Sequence, residues 1–353
     1  MGRGSRFGEE GGDDPPGKEA MSVLLVTHPA YLEHESGRGH PERPERLAAV
    51  LAGVDAAGVR EGIVGVSPRA ATRDELARVH PAPYLDALER FCASGGGRLD
   101  ADTGAGPGSW NAATLAAGAG LEAVERLEAG EADAAFCAVR PPGHHAEPDR
   151  AMGFCLVNNV AVTAAALVER GERVLIVDWD AHHGNGTQDV FYADGRVAYV
   201  SMHQFPLYPG TGRVDDVGTG AGTGATVNLP FPPGTTGDVY LRAVDDVLLP
   251  LAESFRPSWL IVSAGFDAHR ADPLTDLGLS AGDFGDLTAR VTTLVPPGRQ
   301  ILFLEGGYDL GALRDSTAAC LGALLGDRYR PEPATSGGPG QEVVDAARSL
   351  RPG

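Results

Sequence analysis

Asp180 and His182 stand one residue apart just beyond the apolar run Val174-Leu175-Ile176-Val177-Asp178. Side chains two apart on an extended chain point to the same side, so a carboxylate and an imidazole placed there can converge on one cation. An Asp-x-His pair is common by chance, and a catalytic metal needs a third protein ligand. Asp267, beyond the apolar stretch Leu260-Ile261-Val262, is placed at another strand end to supply it. Two carboxylates and one imidazole leave positions open for water and substrate, as in a catalytic zinc site, and a set this hard also suits ferrous iron or cobalt. For Asp267 alone the plainer reading is a helix N-cap or a loop turn.

His144 and His145 follow Pro141-Pro142-Gly143, a turn that would hold both rings rigidly. Water attacking a carbonyl needs a base to take its proton and an acid to protonate the leaving amine, and histidine does both near neutral pH. Asp178 and Asn185 are available to orient the rings. Tyr308, after Gly306-Gly307, offers a phenol for a carbonyl oxygen that is becoming an oxyanion. Taken singly, a His-His pair is more often a surface feature and such a tyrosine an ordinary packed one.

The elements that must position these groups alternate in type along the chain. Apolar strand candidates are Val23–Thr27, Ala134–Val139, Val174–Asp178, Val197–Met202, Trp259–Ala264 and Ile301–Leu304, with weaker ones near Ile63 and Val227. Between them lie helical patterns such as Arg46–Ala57, Asn111–Glu128, Asn159–Glu169, Asp238–Glu253, Phe284–Leu294 and Leu310–Leu325. This alternation predicts an α/β fold, a mostly parallel sheet with helices on both faces. Ligands of such sheets bind outside the carboxyl ends of the strands. The loops at 140–145, 178–184, 265–267 and 305–308 should therefore share one site.

Composition narrows the function classes. The 353 residues are 42% hydrophobic and 22% charged, enough apolar material for a substantial core. A net charge of −19 argues against attachment to nucleic acid or to an anionic membrane, and it tolerates cationic partners. Cys92, Cys137, Cys155 and Cys320 form no CxxC pair and lie in apolar stretches, the usage of a reducing cytoplasm. No apolar run approaches the roughly 18 residues of a membrane span. Residues 1–21, Gly-rich and charged, read as a disordered leader, 22–328 as one domain, and 329–353 as a loosely ordered tail with a short helix around Val343–Leu350. Self-association into a homo-oligomer is left open.

Several runs together resemble a known family. Arg140-Pro141-Pro142-Gly143-His144-His145-Ala146, Gly153-Phe154-Cys155, Asp178-Trp179-Asp180-Ala181-His182-His183-Gly184-Asn185-Gly186-Thr187-Gln188, Tyr208-Pro209-Gly210-Thr211-Gly212, Ser263-Ala264-Gly265-Phe266-Asp267 and Glu305-Gly306-Gly307-Tyr308 are similar to the zinc-dependent histone deacetylases, within the acetoin-utilisation and acetylpolyamine amidohydrolase superfamily. They occur in the family's order over most of residues 22–326. The resemblance implies a single-domain arginase/deacetylase fold, with a sheet of about eight strands, and hydrolysis of N-acyl amines, typically acetyl-lysine in a protein or peptide. It implies Asp180, His182 and Asp267 as zinc ligands, His145 as general base and acid, His144 as its electrostatic assistant, and Tyr308 as the group that polarises the carbonyl.

The same resemblance extends to residues around that centre. Gly153 and Phe154 match one wall of the family's acyl-chain tunnel, and Tyr208 falls where the opposite wall is often phenylalanine. Asp102 resembles the rim aspartate that holds a substrate backbone, although a surface ion pair reads equally well. Arg46 resembles the arginine of an internal acetate cavity. Asp178, Asp180, His182, Ser201 and Met202 match a potassium site. Asn185 replaces the aspartate of the class I pattern, as in class II and its bacterial relatives. Polyamine-preferring members carry a glutamate where Leu274 stands, so its absence lowers the polyamine reading; the net charge of −19 keeps an acetylpolyamine or other small acyl-amine as the alternative substrate. A dinuclear manganese ureohydrolase would want a carboxylate at the position of Gly184. A silent scaffold would not need the full set of ligands, histidines and tyrosine.

Overall fold

The computed structural model describes residues 21–350. The leader expected over 1–21 therefore lies, but for Met21, outside the described residues, as does the end of the chain from 351. The strands are β1 (Val23–Val26), β2 (Ile63–Val66), β3 (Gly97–Arg98), β4 (Gly104–Ala105), β5 (Ala134–Cys137), β6 (Val174–Asp178), β7 (Val197–Gln204), β8 (Thr226–Phe231), β9 (Trp259–Ala264) and β10 (Gln300–Leu304). The helices are α1 (Glu45–Ala57), α2 (Arg73–Leu76), α3 (Ala82–Ala93), α4 (Ser109–Glu128), α5 (Asn159–Glu169), α6 (Asn185–Phe191), α7 (Gly237–Ala243), α8 (Leu249–Phe255), α9 (Ala281–Val291), α10 (Leu310–Leu324) and α11 (Gln341–Ser349).

Eight strands form one sheet in the order β2-β1-β5-β10-β9-β6-β7-β8, and every pairing in it is parallel. Parallel strands need crossovers, and these place helices on both faces, so the strands are buried on both sides and read as unbroken apolar runs. The inner strands bear this out: Val174–Val177, Leu260–Val262 and Ile301–Leu304 are all at 0% exposure. This is the expected α/β architecture. β3 and β4 pair separately as a short antiparallel ribbon. Among the described residues no helix is long and apolar enough to cross a membrane.

The pattern read as one helix over Asp238–Glu253 is α7, a wide π-type turn at Val244–Leu248, and α8. Pro250 lies at the start of α8 and has no N–H to continue a regular ladder, which fits an irregularity just before it. Residues 329–350, expected to be a loose tail, lie against the domain. Thr335 donates to Asp283, and α11 packs on β8 with Val344 and Ala347 fully buried.

The strand order matters for the site. β5, β10, β9 and β6 are consecutive in the sheet, and with about 4.8 Å between neighbours their carboxyl ends lie within some 15 Å. These four strands lead into the loops that carry His144, Tyr308, Asp267 and Asp180.

Candidate metal centre and active site

At the ends of β6 and β9, one ligand atom each of Asp180, His182 and Asp267 lies within 4.8 Å of the others. His182 Nδ1 is 3.2 Å from Asp180 Oδ1 and 3.0 Å from Asp267 Oδ2. The second oxygen of each carboxylate is held by backbone: Gly306 N–H donates to Asp180 Oδ2 at 2.7 Å and Ala181 N–H to Asp267 Oδ1 at 2.7 Å. Each acid thus turns one oxygen toward the imidazole. The backbone can come this close because two neighbours lack a side chain. A Cβ on Gly265 would lie 2.1 Å from Asp180 Oδ2, and one on Gly306 would lie 2.2 Å from Asp267 Oδ2.

The electrostatics call for a cation. Asp178, Asp180, Asp267 and Glu305 are all essentially inaccessible to solvent, and buried carboxylates ionise only when paired. Burial pushes Asp178 up, burial and Asp180 push Asp267 up, and burial lifts Glu305 to about 7. Asp180 is instead held down by His144 and His182 against burial, and a divalent ion held by Asp180, His182 and Asp267 would relieve the repulsion between the two acids. The hard donor set and open coordination positions fit zinc or a similar divalent metal.

The two histidines are differently placed. His144 Nδ1 is 3.0 Å from Asp178 Oδ2, which also accepts the Tyr199 hydroxyl at 3.1 Å. His145 Nδ1 is 2.8 Å from Asn185 Oδ1, and the two ring centroids are 4.1 Å apart. Burial acts to lower both. At His144 it is outweighed by Asp180, Asp178 and Glu305, which hold the ring well above the usual histidine range. At His145 burial is reinforced by the positive charge of His144 and His182, and the ring is held well below it. Two adjacent imidazoles are thus split into an acid-like and a base-like partner. The loop bearing them is fixed from beneath, since Glu305 accepts the N–H groups of Gly143 at 2.6 Å and His144 at 3.2 Å.

Above these groups lies a cavity of about 270 Å³. His144, His145, His182, Tyr308, Gly153, Phe154, Tyr208, Leu274 and Asp102 all line it, so the structure gathers nearly every predicted contact residue around one space. Phe154 packs edge-on to Tyr308 at 5.8 Å, and Tyr208 edge-on to His145 at 5.3 Å. Phe154 holds φ at 69°, a left-handed conformation that costs a non-glycine residue energy. Gly153 shares it at φ 55° and passes so near that a Cβ would lie 2.3 Å from His145 Cδ2. Asp102, Tyr208 and Leu274 are exposed at the mouth.

Arg46 does not line this cavity. Fully buried, it donates to Gly307 O at 2.7 Å and Glu305 O at 2.5 Å, pairs with Glu42, and lies 5.0 Å from the Tyr308 ring centroid. It supports the tyrosine's loop from behind. Of the residues expected around potassium, Asp178 at the end of β6 faces Ser201 within β7 in the β6–β7 register, with Met202 next along β7.

Sequence reading assigned no role to several supporting residues. Asp272 accepts the Tyr308 N–H at 2.7 Å, and burial followed by repulsion from Asp267 raises its carboxyl to about 7. Tyr199 orients Asp178, Glu305 supports the histidine loop, and Glu147 accepts from Asn185 at 2.9 Å. Glu305 lies inside a strand-end motif and Asp272 two residues before Leu274, so position was a signal. Their acceptor roles depend on chain segments far away in sequence.

Residues 40–324 match the histone deacetylase domain family. A probable deacetylase of Archaeoglobus fulgidus is 41% identical over 313 residues, covering 87% of each chain. A histone deacetylase-like amidohydrolase of Pseudomonas aeruginosa is 40% identical over 292 residues, 81% of this chain and 77% of that one. The crystal structure of the HDA15 HD domain superposes with a TM-score of 0.86 at 37% identity, covering 94% of both chains.

Proposed function

The chain belongs to the histone deacetylase family and is a hydrolase, and from that premise we propose that it cleaves N-acetyl and related N-acyl amides, with acetyl-lysine side chains of proteins or peptides as substrate. The observation that carries this reading is the single cavity in which His145 and Tyr308 face the space above the Asp180-His182-Asp267 cluster. Those three residues would hold zinc, with ferrous iron or cobalt as substitutes, and the bound ion supplies Lewis acidity and a water of lowered pKa.

The chain's own groups do the rest. His145, with Nδ1 engaged by Asn185, takes a proton from the attacking water at Nε2 and passes it to the leaving amine. His144, its Nδ1 3.0 Å from Asp178 Oδ2, lends positive charge to the developing oxyanion. The Tyr308 hydroxyl donates to the acyl oxygen. Phe154 and Tyr208 flank the methylene chain of the substrate, and Asp102 accepts from a peptide N–H at the rim. Potassium beside Asp178 and Ser201 is a structural companion in this scheme.

A small acyl-amine such as an acetylpolyamine is the second reading, favoured by the net charge of −19. Leu274 puts no carboxylate at its own place on the rim, and in the adjoining cavity Arg38 and Arg98 stand with the one acid Asp102, which favours the peptide over a polycation. All four cysteines are buried free thiols, consistent with a reducing cytoplasm. The test is metal content together with hydrolysis of a fluorogenic acetyl-lysine peptide and of acetylspermidine. His145→Ala should abolish turnover, and exhaustive chelation should too, with zinc, iron or cobalt restoring it. A metal-loaded protein that cleaves no acyl amide in a broad panel refutes the reading.

A further inference from the structure

His145 is oriented by an amide, and an amide can be turned either way. Asn185 Oδ1 facing His145 Nδ1 requires an N–H on Nδ1 and leaves Nε2 with its lone pair; the flipped amide would present NH2 and require the opposite tautomer. The structure contains a device that chooses. Asn185 Nδ2 donates to Glu147 Oε1 at 2.9 Å and lies 3.4 Å from Met152 Sδ. A carboxylate only accepts hydrogen bonds, so the atom facing Glu147 must be the NH2 group. The carbonyl is thereby aimed at His145, 2.8 Å away.

Glu147 is itself well held. It sits two residues after His145, its backbone exchanges hydrogen bonds with Arg150 at 3.0 and 3.4 Å, and together with Asn185 it lines a second cavity. It lines no part of the tunnel.

We propose that Glu147 is a positioning residue which, by clamping the Asn185 amide, fixes the tautomer in which His145 acts as base. An aspartate at 185 would need no clamp, because both of its oxygens accept. The inference rests on the deacetylase reading for its kinetic test.

The experiment measures kcat, KM and metal content for Glu147→Ala and Glu147→Gln, each in the native and the Asn185→Asp backgrounds. In the native background Glu147→Ala should lower kcat about tenfold at unchanged KM and metal content. Glu147→Gln should fall between the native protein and Glu147→Ala, since its amide can accept from Asn185 or donate to it and no longer forces one orientation. With Asn185→Asp the sign changes: Glu147→Ala should cost nothing or raise kcat, because it removes a carboxylate facing the introduced one. An equal loss from Glu147→Ala in both backgrounds, or no loss in the native one, overturns the proposal. Side-chain 15N NMR of His145 reads the tautomer without turnover, so it applies even if the peptide is not a substrate or Asn185→Asp is inactive. Glu147→Ala should then mix the two tautomers, and an unchanged Nδ1-protonated ring overturns the clamp.

Discussion

Gly306→Ala tests how tightly the metal cluster depends on a missing side chain. The added methyl would stand 2.2 Å from Asp267 Oδ2 and 2.6 Å from Asp180 Oδ2, whereas real Cβ contacts stay above 3.0 Å. The Asp267 oxygen must therefore retreat by about 0.8 Å, more than the roughly 0.5 Å that a working site tolerates. Asp180 has little freedom to compensate, because its Oδ2 is itself held at 2.7 Å by the Gly306 N–H. Gly306 does not use the left-handed backbone region, so alanine leaves the chain path allowed and the damage falls on the ligands. Losing ligand orientation costs 10- to 100-fold in metal affinity, about 1.4 to 2.7 kcal/mol. Metal-buffered titration gives the dissociation constant, with far-UV circular dichroism as a check on folding. Gly65→Ala is the control, since nothing lies within 4 Å of its added carbon. A folded Gly306→Ala protein that binds zinc within twofold of the native constant would refute the steric argument.

Tyr308→Phe should lower kcat by about 10²- to 10³-fold while leaving metal content unchanged, as expected for loss of one oxyanion donor; steady-state kinetics on the acetyl-lysine peptide measure it. His80 is buried, donates from Nδ1 to Pro148 O and accepts the Asn158 N–H at Nε2, and burial depresses it from 6.5 to about 4. Because the folded value is the lower one, its contribution is complete above pH 6.5 and is lost as the pH falls toward 4. Urea titrations should show the native protein losing up to about 3 kcal/mol more than His80→Gln across that window. Arg140→Met removes the bonds to both Glu42 oxygens and leaves that buried acid only partly neutralised, by Arg46 on Oε1 and with His34 beside Oε2, with an expected destabilisation of about 3 kcal/mol by the same titration at pH 7.

β6 and β9 could be delimited to the residue from sequence, because a buried parallel strand is an unbroken apolar run that stops at a polar loop. α5 was legible for a similar reason, a long apolar pattern opened by the capping residue Asn158. The helices α3 and α6 were not among those read. α6 starts inside the motif that follows His182, where Gly184 and Gly186 look like loop. The irregular turn before α8 was also hidden, since a π-type turn keeps the same apolar face as the helix around it.

What the sequence determined by itself is local. The chemistry of Asp180-Ala181-His182 and of His144-His145 follows from spacing of one or two residues, and strand-end placement identifies Asp267 and Tyr308 as partners. Only the tertiary structure decided that β10 and β9 insert between β5 and β6, bringing the loops around 145, 180, 267 and 308 together. It also decided that Glu305, Asp272 and Glu147 would hold the reactive groups in place. Hydrogen bonds across tens to more than a hundred residues of chain depend on strand order and crossover packing, and no local pattern encodes either.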